Sequence, residues 1–182
     1  MDRLYGYDEA KLESIRASKL WTFDPRYFKR VKVSPSAAVK MLTHGQSGVD
    51  KGVRAGGKPI EVMGLLLGRP DDEDLNCIII TDAQAIPCEG FETRVVADDQ
   101  SVINYMISLG ENNELSTRET FCGWYHTHPF ELEEHCHCYL SSTDVSTQLS
   151  VGDRGLSDSL NHLTCVSGNG WRTAEATPGS RS

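Results

Sequence analysis

Three short apolar runs separated by polar loops constrain this chain more than any other feature. Residues 60–68 read IEVMGLLLG, residues 76–86 centre on Ile78, Ile79 and Ile80, and Phe121 to Tyr125 form a third run. Each is too short for a buried helix, and β-branched residues favour sheet, so each reads as a strand. Ser34-Pro35 marks a helix start: a serine to cap the first turn, then a proline whose missing N–H costs nothing there. Ala37, Ala38, Met41 and Leu42 follow at helical spacing. The pattern fades at Gly45, and residues 48–59, rich in Gly and Lys, read as loop. A second helix is expected behind Asp99, with Val102, Ile103, Met106 and Leu109 on its apolar side and an end near Gly110.

Around this frame the sequence predicts less regular pieces. Tyr7 to Lys19 is helix-prone, and Trp21, Phe23, Tyr27 and Phe28 form an aromatic cluster expected to clamp the N-terminal part onto the body. Arg69 to Asp74 reads as an acidic turn, and Pro87 to Asp99 as a polar loop containing Glu89, Glu92 and Arg94. From Ser150 onward the chain is rich in Gly and Ser, lacks either periodicity, and reads as loop or disorder. The expected organisation is an N-terminal extension over residues 1–33, a domain over 34–149 and a divergent tail over 150–182.

Composition narrows the function classes. A formal net charge of -8 argues against non-specific nucleic-acid binding, which needs a basic surface, and points to protein partners. Residues 1–17 carry seven charged side chains and no apolar signal core, and no run approaches membrane-spanning length. No nucleic-acid or membrane partner is expected, and a cytoplasmic and nuclear location is the default. With no secretory context, most of the six cysteines read as reduced thiols, Cys77 and Cys122 as core residues.

The chemistry concentrates after the third run. His126 and His128 alternate with Thr127 at a strand end, and in extended chain residues two apart share a side, so both imidazoles can face one metal. Asp144, near the start of a helix capped by Ser142 or Thr143, can supply a third ligand. A catalytic zinc keeps three protein ligands and an open position for water. Glu61 can act as the base for that water, and Ser141 can donate to the oxyanion of a tetrahedral intermediate. Taken singly, each has a plainer reading: a structural histidine pair, a solvated strand-end carboxylate, a helix N-cap and a loop serine.

GWYHTHP (residues 123–129) followed by SSTD (141–144) resembles the JAMM motif of the MPN-plus metalloproteases, in which an upstream Glu precedes His-x-His and Ser-x-x-Asp. KLWTFDPRYFKRVKVSPSAAVKML, IEVMGLLLGRPD, EGFETRV and CYLSSTDVSTQ are similar to the branch that supplies the catalytic subunit of the signalosome, from about Tyr7 to Leu149. The resemblance implies an α/β MPN (JAB-type) domain, a curved mixed sheet flanked by helices. It implies one zinc ion on His126, His128 and Asp144, with Glu61 as base and Ser141 as oxyanion donor. The implied activity is metallo-isopeptidase removal of a Nedd-type ubiquitin-like modifier from cullins. The implied partners are other signalosome subunits, including a second MPN-domain protein, and neddylated cullin or other ubiquitin-like conjugates. Glu92, in the stretch matching EGFETRV, is a candidate gating carboxylate; its alternative is an exposed loop charge.

The chain departs from the family pattern in two places. Pro129 to Leu140, containing FELEEHCH, is longer than the seven residues the family places between the second histidine and the serine. A misplacement of about 1 Å between reacting groups can cost about a hundredfold in rate. The same segment contains His135, Cys136, His137 and Cys138, which are possible alternative ligands for the metal. After Leu149 the expected continuation of the sheet and its C-terminal helices are missing. The sequence therefore leaves three readings: an active metallo-isopeptidase, a catalytically idle MPN interaction module, and a truncated isoform without a stable fold.

Overall fold

The Ser34 hydroxyl accepts a hydrogen bond from the N–H of Ala37 at 3.0 Å and donates to the carbonyl of Thr81 at 2.6 Å. One buried side chain thus caps a helix and ties it to a strand. In the computed structural model, described at residues 4–24, 26–86, 90–91, 94–95, 104–105, 107–110, 112, 119–129, 142 and 144–146, the elements run α1 (Glu9–Ser18), β1 (Arg30–Val33), α2 (Pro35–Arg54), β2 (Met63–Pro70), β3 (Cys77–Ala85), β4 (Gly90–Phe91), β5 (Arg94–Val95) and β6 (Thr120–His126). The main sheet is mixed, in the order β1-β3-β2-β6, with β1 parallel to β3 and the other neighbours antiparallel. This is the α/β arrangement, a mixed sheet with helices, that the family resemblance implies. Residues 30–33, placed by sequence in the N-terminal extension, form an edge strand of this sheet.

The core lies between α2 and the sheet. Ala37 and Met41 of α2 pack on Leu66, Ile78, Ile80, Ala83, Cys122 and Tyr125. Each large aliphatic side chain buried there contributes about 1.5–3 kcal/mol relative to exposure. The opposite face of the sheet gathers Met63, Leu65, Ile86 and Trp124. Cys77 and Cys122 are free, buried thiols, as their apolar settings predict, and burial pushes the Cys122 thiol up to about 12.

α2 corrects the sequence reading. It does not fade at Gly45 but continues to Arg54, through residues expected to be loop. Its glycines are contact positions. A Cβ on Gly48 would meet the carbonyl oxygen of Ile60 at 2.5 Å, and one on Gly52 would meet that of Lys58 at 2.1 Å. The helix therefore accepts about 1 kcal/mol of lost propensity per glycine and gains a groove in which residues 58–62 lie against it. The N–H of Ile60 donates to the Gly48 carbonyl at 3.2 Å, and that of Gly57 to Gly52 at 3.1 Å.

Other boundaries shift. β2 starts at Met63 rather than Ile60, leaving Glu61 on the approach to the strand. Arg69 and Pro70, expected in a turn, end β2; only residues 71–76 turn. Arg69 is 1% exposed. Its Nη2 donates to the carbonyls of Leu4 at 3.1 Å and Gly6 at 2.8 Å, and its guanidinium lies 4.8 Å from the centroid of the Tyr7 ring. This cation fastens the start of the chain to the sheet. α1 follows, capped by Asp8 and burying Leu12 and Ile15. Trp21 stacks on Phe28, which Tyr27 meets edge-on. Phe23, however, is 82% exposed and does not join the aromatic cluster.

Part of the segment read as a polar loop pairs as a two-stranded ladder, β4 with β5. Residues 104–105, 107–110 and 112 are helical, within the helix expected there; Asp99, Val102, Ile103 and Met106 lie outside the described residues. No helix among the described residues is long and apolar enough to cross a membrane.

Candidate metal centre

Strand register assembles this site. In the antiparallel ladder of β2 and β6, Met63 stands opposite His126, Gly64 opposite Tyr125, and Leu65 opposite Trp124. Continued two residues past the strand ends, the same register sets Val62 opposite Thr127 and Glu61 opposite His128. The first of these pairs is bonded: the N–H of Thr127 donates to the Val62 carbonyl at 3.1 Å. Alternation then puts Val62, Gly64, Tyr125 and Thr127 on the α2 side, and Glu61, Met63, His126 and His128 on the other. Gly64 is needed here, because a Cβ would lie 2.3 Å from the Tyr125 ring.

His126, His128 and Asp144 are all buried, and one ligand atom from each lies within 4.8 Å of the others. Nε2 of His126 is 2.6 Å from Nε2 of His128 and 3.1 Å from Oδ1 of Asp144; Nε2 of His128 is 3.4 Å from Oδ2. The His126 ring also stacks on Trp124, with centroids 5.0 Å apart. Ser142 and residues 144–146 are helical, so Asp144 lies within a helix rather than capping one, and its carboxylate turns to the histidines.

The electrostatics suit a cation. Burial lowers the His126 imidazole to about 4, although the Asp144 carboxylate pulls it upward; burial also lowers His128. Both rings are therefore neutral near pH 7, the form that ligates metals. Glu61 is half-buried. Burial first, and the neighbouring Asp144 charge second, push its carboxyl up to about 7. A base poised at neutrality is what acid–base chemistry at this pH requires.

Two imidazole nitrogens and one carboxylate are a donor set that zinc accepts. In a tetrahedral zinc site, ligand atoms stand about 3.3 Å apart, from metal–ligand bonds near 2.0–2.1 Å. The spacings to the carboxylate, which run to a different oxygen from each ring, bracket that figure, and the histidine pair has to open by several tenths of an ångström. The residues thus fit the ion. Ser141, Glu92, His135, Cys136, His137 and Cys138 lie outside the described residues.

Two supports of the site escape a reading by motif. Tyr125, buried beside His126, has its hydroxyl 2.8 Å from Nδ1 of His44 on α2, and burial raises that phenol well above its ordinary value. Thr127 bonds Val62 through its side chain as well as its backbone. Glycines at 45, 48 and 52 recur at helical spacing, and that was the available signal that α2 is closely overlaid.

An α/β domain with His-x-His at a strand end and an aspartate closing the triad defines a class of candidate metal-dependent hydrolases. Comparison with known proteins gives the family. The profile described as JAB1/Mov34/MPN/PAD-1 ubiquitin protease matches residues 26–153, and the chain belongs to that family. Among curated proteins, it is 41% identical over 148 residues to COP9 signalosome complex subunit 5b of Arabidopsis thaliana, covering 81% of this chain and 36% of the relative. It is 40% identical over 149 residues to COP9 signalosome complex subunit 5 of Drosophila melanogaster, covering 81% and 40%. Against the Dictyostelium discoideum subunit 5, it is 40% identical over 148 residues, covering 81% and 39%. The matched region therefore spans less than half the length of these relatives.

Proposed function

We propose that this chain holds one zinc ion on His126, His128 and Asp144 and hydrolyses the isopeptide bond joining a Nedd-type ubiquitin-like modifier to a cullin, as a subunit of a signalosome. The observation that carries the reading is the convergence of three buried ligand groups beside a half-buried glutamate held near neutrality. A bound zinc ion supplies a Lewis acid and acidifies water. The protein's share is proton movement and orientation. Glu61 takes the proton that water releases as its oxygen attacks the isopeptide carbonyl carbon. It then delivers that proton to the lysine amine as the C–N bond breaks. Trp124 stacks on His126 and holds that ring in place. Ser141 donates a hydrogen bond to the developing oxyanion, and Glu92 gates access.

The relatives are signalosome subunits, which supports the signalosome setting and partnership with other subunits; a second MPN-domain partner and a cytoplasmic and nuclear location belong to the same proposal. One observation favours a second reading, an idle interaction module. The twelve residues from Pro129 to Leu140 exceed the family spacing, and some of them offer competing ligands. The test is cleavage of a cullin carrying the modifier by zinc-loaded protein, alone and mixed with the other subunits. Cleavage that disappears in Glu61→Gln while zinc is retained supports the isopeptidase. Zinc binding without cleavage in any mixture favours the module.

A further inference from the structure

We infer that Thr127 is a positioning residue that sets Glu61 against the histidine pair; this rests on the proposed roles of Glu61, His126 and His128. In a regular antiparallel ladder, paired residues of the hydrogen-bonded type exchange two backbone bonds. Val62 and Thr127 keep only one of these, from the Thr127 N–H to the Val62 carbonyl at 3.1 Å. The return bond goes from the Val62 N–H to the Thr127 hydroxyl at 3.0 Å. The side chain stands in for a carbonyl. The strand ends at His126, yet its register is held for one further pair, and Glu61 is the neighbour of the residue so held.

The surroundings leave the clasp little freedom. The Thr127 methyl faces α2, where a Cβ on Gly45 would approach its Cγ2 to 3.1 Å. Val62 is backed by Gly48, and the N–H two residues earlier, from Ile60, is bonded to the Gly48 carbonyl. Residues 60–62 are thus gripped from the helix side by glycine and from the strand side by threonine. The residue between the two histidines does not face the metal ligands. It faces the opposite way and holds the segment that carries the base.

Thr127→Val keeps the shape and removes the acceptor; Thr127→Ser keeps the acceptor and removes the methyl. Three readouts separate the outcomes: amide hydrogen exchange at Val62, the paramagnetic shift of the Glu61 side chain in cobalt-substituted protein, and steady-state kinetics on the modified cullin. In Thr127→Val the Val62 amide exchanges at least about tenfold faster and the Glu61 shift moves. Metal stoichiometry stays at that of wild type, and kcat falls about tenfold or more with KM little changed. Thr127→Ser restores all of these. An unchanged Glu61 shift in Thr127→Val overturns the inference, as does a loss that serine does not restore. Wild-type protein that binds cobalt but never turns over contradicts the proposed function instead, and the exchange and shift measurements still decide the role of Thr127.

Discussion

Nε2 of His126 and Nε2 of His128 stand 2.6 Å apart inside the protein. Two neutral imidazoles cannot aim lone pairs at each other across that gap: at this spacing a ring N–H lies between them, and a cation held by both needs the pair to open toward about 3.3 Å. On the proposed reading the pair opens around a cation that the Asp144 carboxylate, at 3.1 and 3.4 Å, also holds. Removal of metal then leaves buried groups without their common partner. Chelation is expected to lower the melting temperature by several degrees, since a ligand held at a hundred times its Kd adds about 2.7 kcal/mol. Thermal scans with and without chelator check this, and His126→Ala should melt at one temperature in both.

Gly48→Ala tests the overlay of α2 by residues 58–62. The new methyl would sit 2.5 Å from a backbone oxygen and 2.6 Å from Cγ1 of Val62, so backbone has to move. A loss of about 1–3 kcal/mol is expected from overpacking, despite alanine's better helix propensity. Urea denaturation measures it. A gain in stability would mean that the segment does not lie on the helix.

Arg69 predicts a local rather than a global response. Its guanidinium is buried and satisfies the carbonyls of Leu4 and Gly6. Arg69→Met removes bonds worth about 1.5–3 kcal/mol each when one partner is charged. The carbonyls can recover water only by leaving the surface. Limited proteolysis near residues 4–8 should therefore accelerate well before the sheet unfolds.

Asp71 and Lys32 set a limb of the stability–pH profile. Burial alone would raise the Asp71 carboxyl. The hydrogen bond from the Lys32 ammonium and the N–H of Glu73 outweigh it and hold the group below its ordinary value. A carboxylate depressed in the folded state stabilises above its unfolded pKa, about 3.9, and loses that contribution as pH falls through the folded value. Lys32, raised by the same bond, loses its contribution as pH climbs past about 10.4. Because the lysine is half-exposed, the pair is expected to contribute only about 1 kcal/mol. Asp71→Asn should cost that amount between pH 5 and 9, and the difference from wild type should close below pH 4.

Much of the fold was legible because its signals are local. The Ser34 cap, the strand runs and the thiols of Cys77 and Cys122 follow from single-residue chemistry and short periods. What was missed depends on tertiary contact. Gly48 and Gly52 look like helix breakers until another segment lies on them. Arg69 looks like a turn residue until the carbonyls of Leu4 and Gly6 arrive. β1 has only Val31 and Val33 to announce it, and its partner β3 is more than forty residues away. The histidine pair was readable from strand alternation, and its conjunction with Glu61 and Asp144 came from the motif. Nothing in the sequence says that Thr127 bonds Val62, because that contact exists only once the β2–β6 register is set.

The central claim is a metal centre made by His126, His128 and Asp144, and metal content tests it most directly. Elemental analysis of the purified chain should find one zinc per molecule, and none in His126→Ala or Asp144→Asn. A wild-type chain without zinc after loading, or zinc that survives both substitutions, would contradict it.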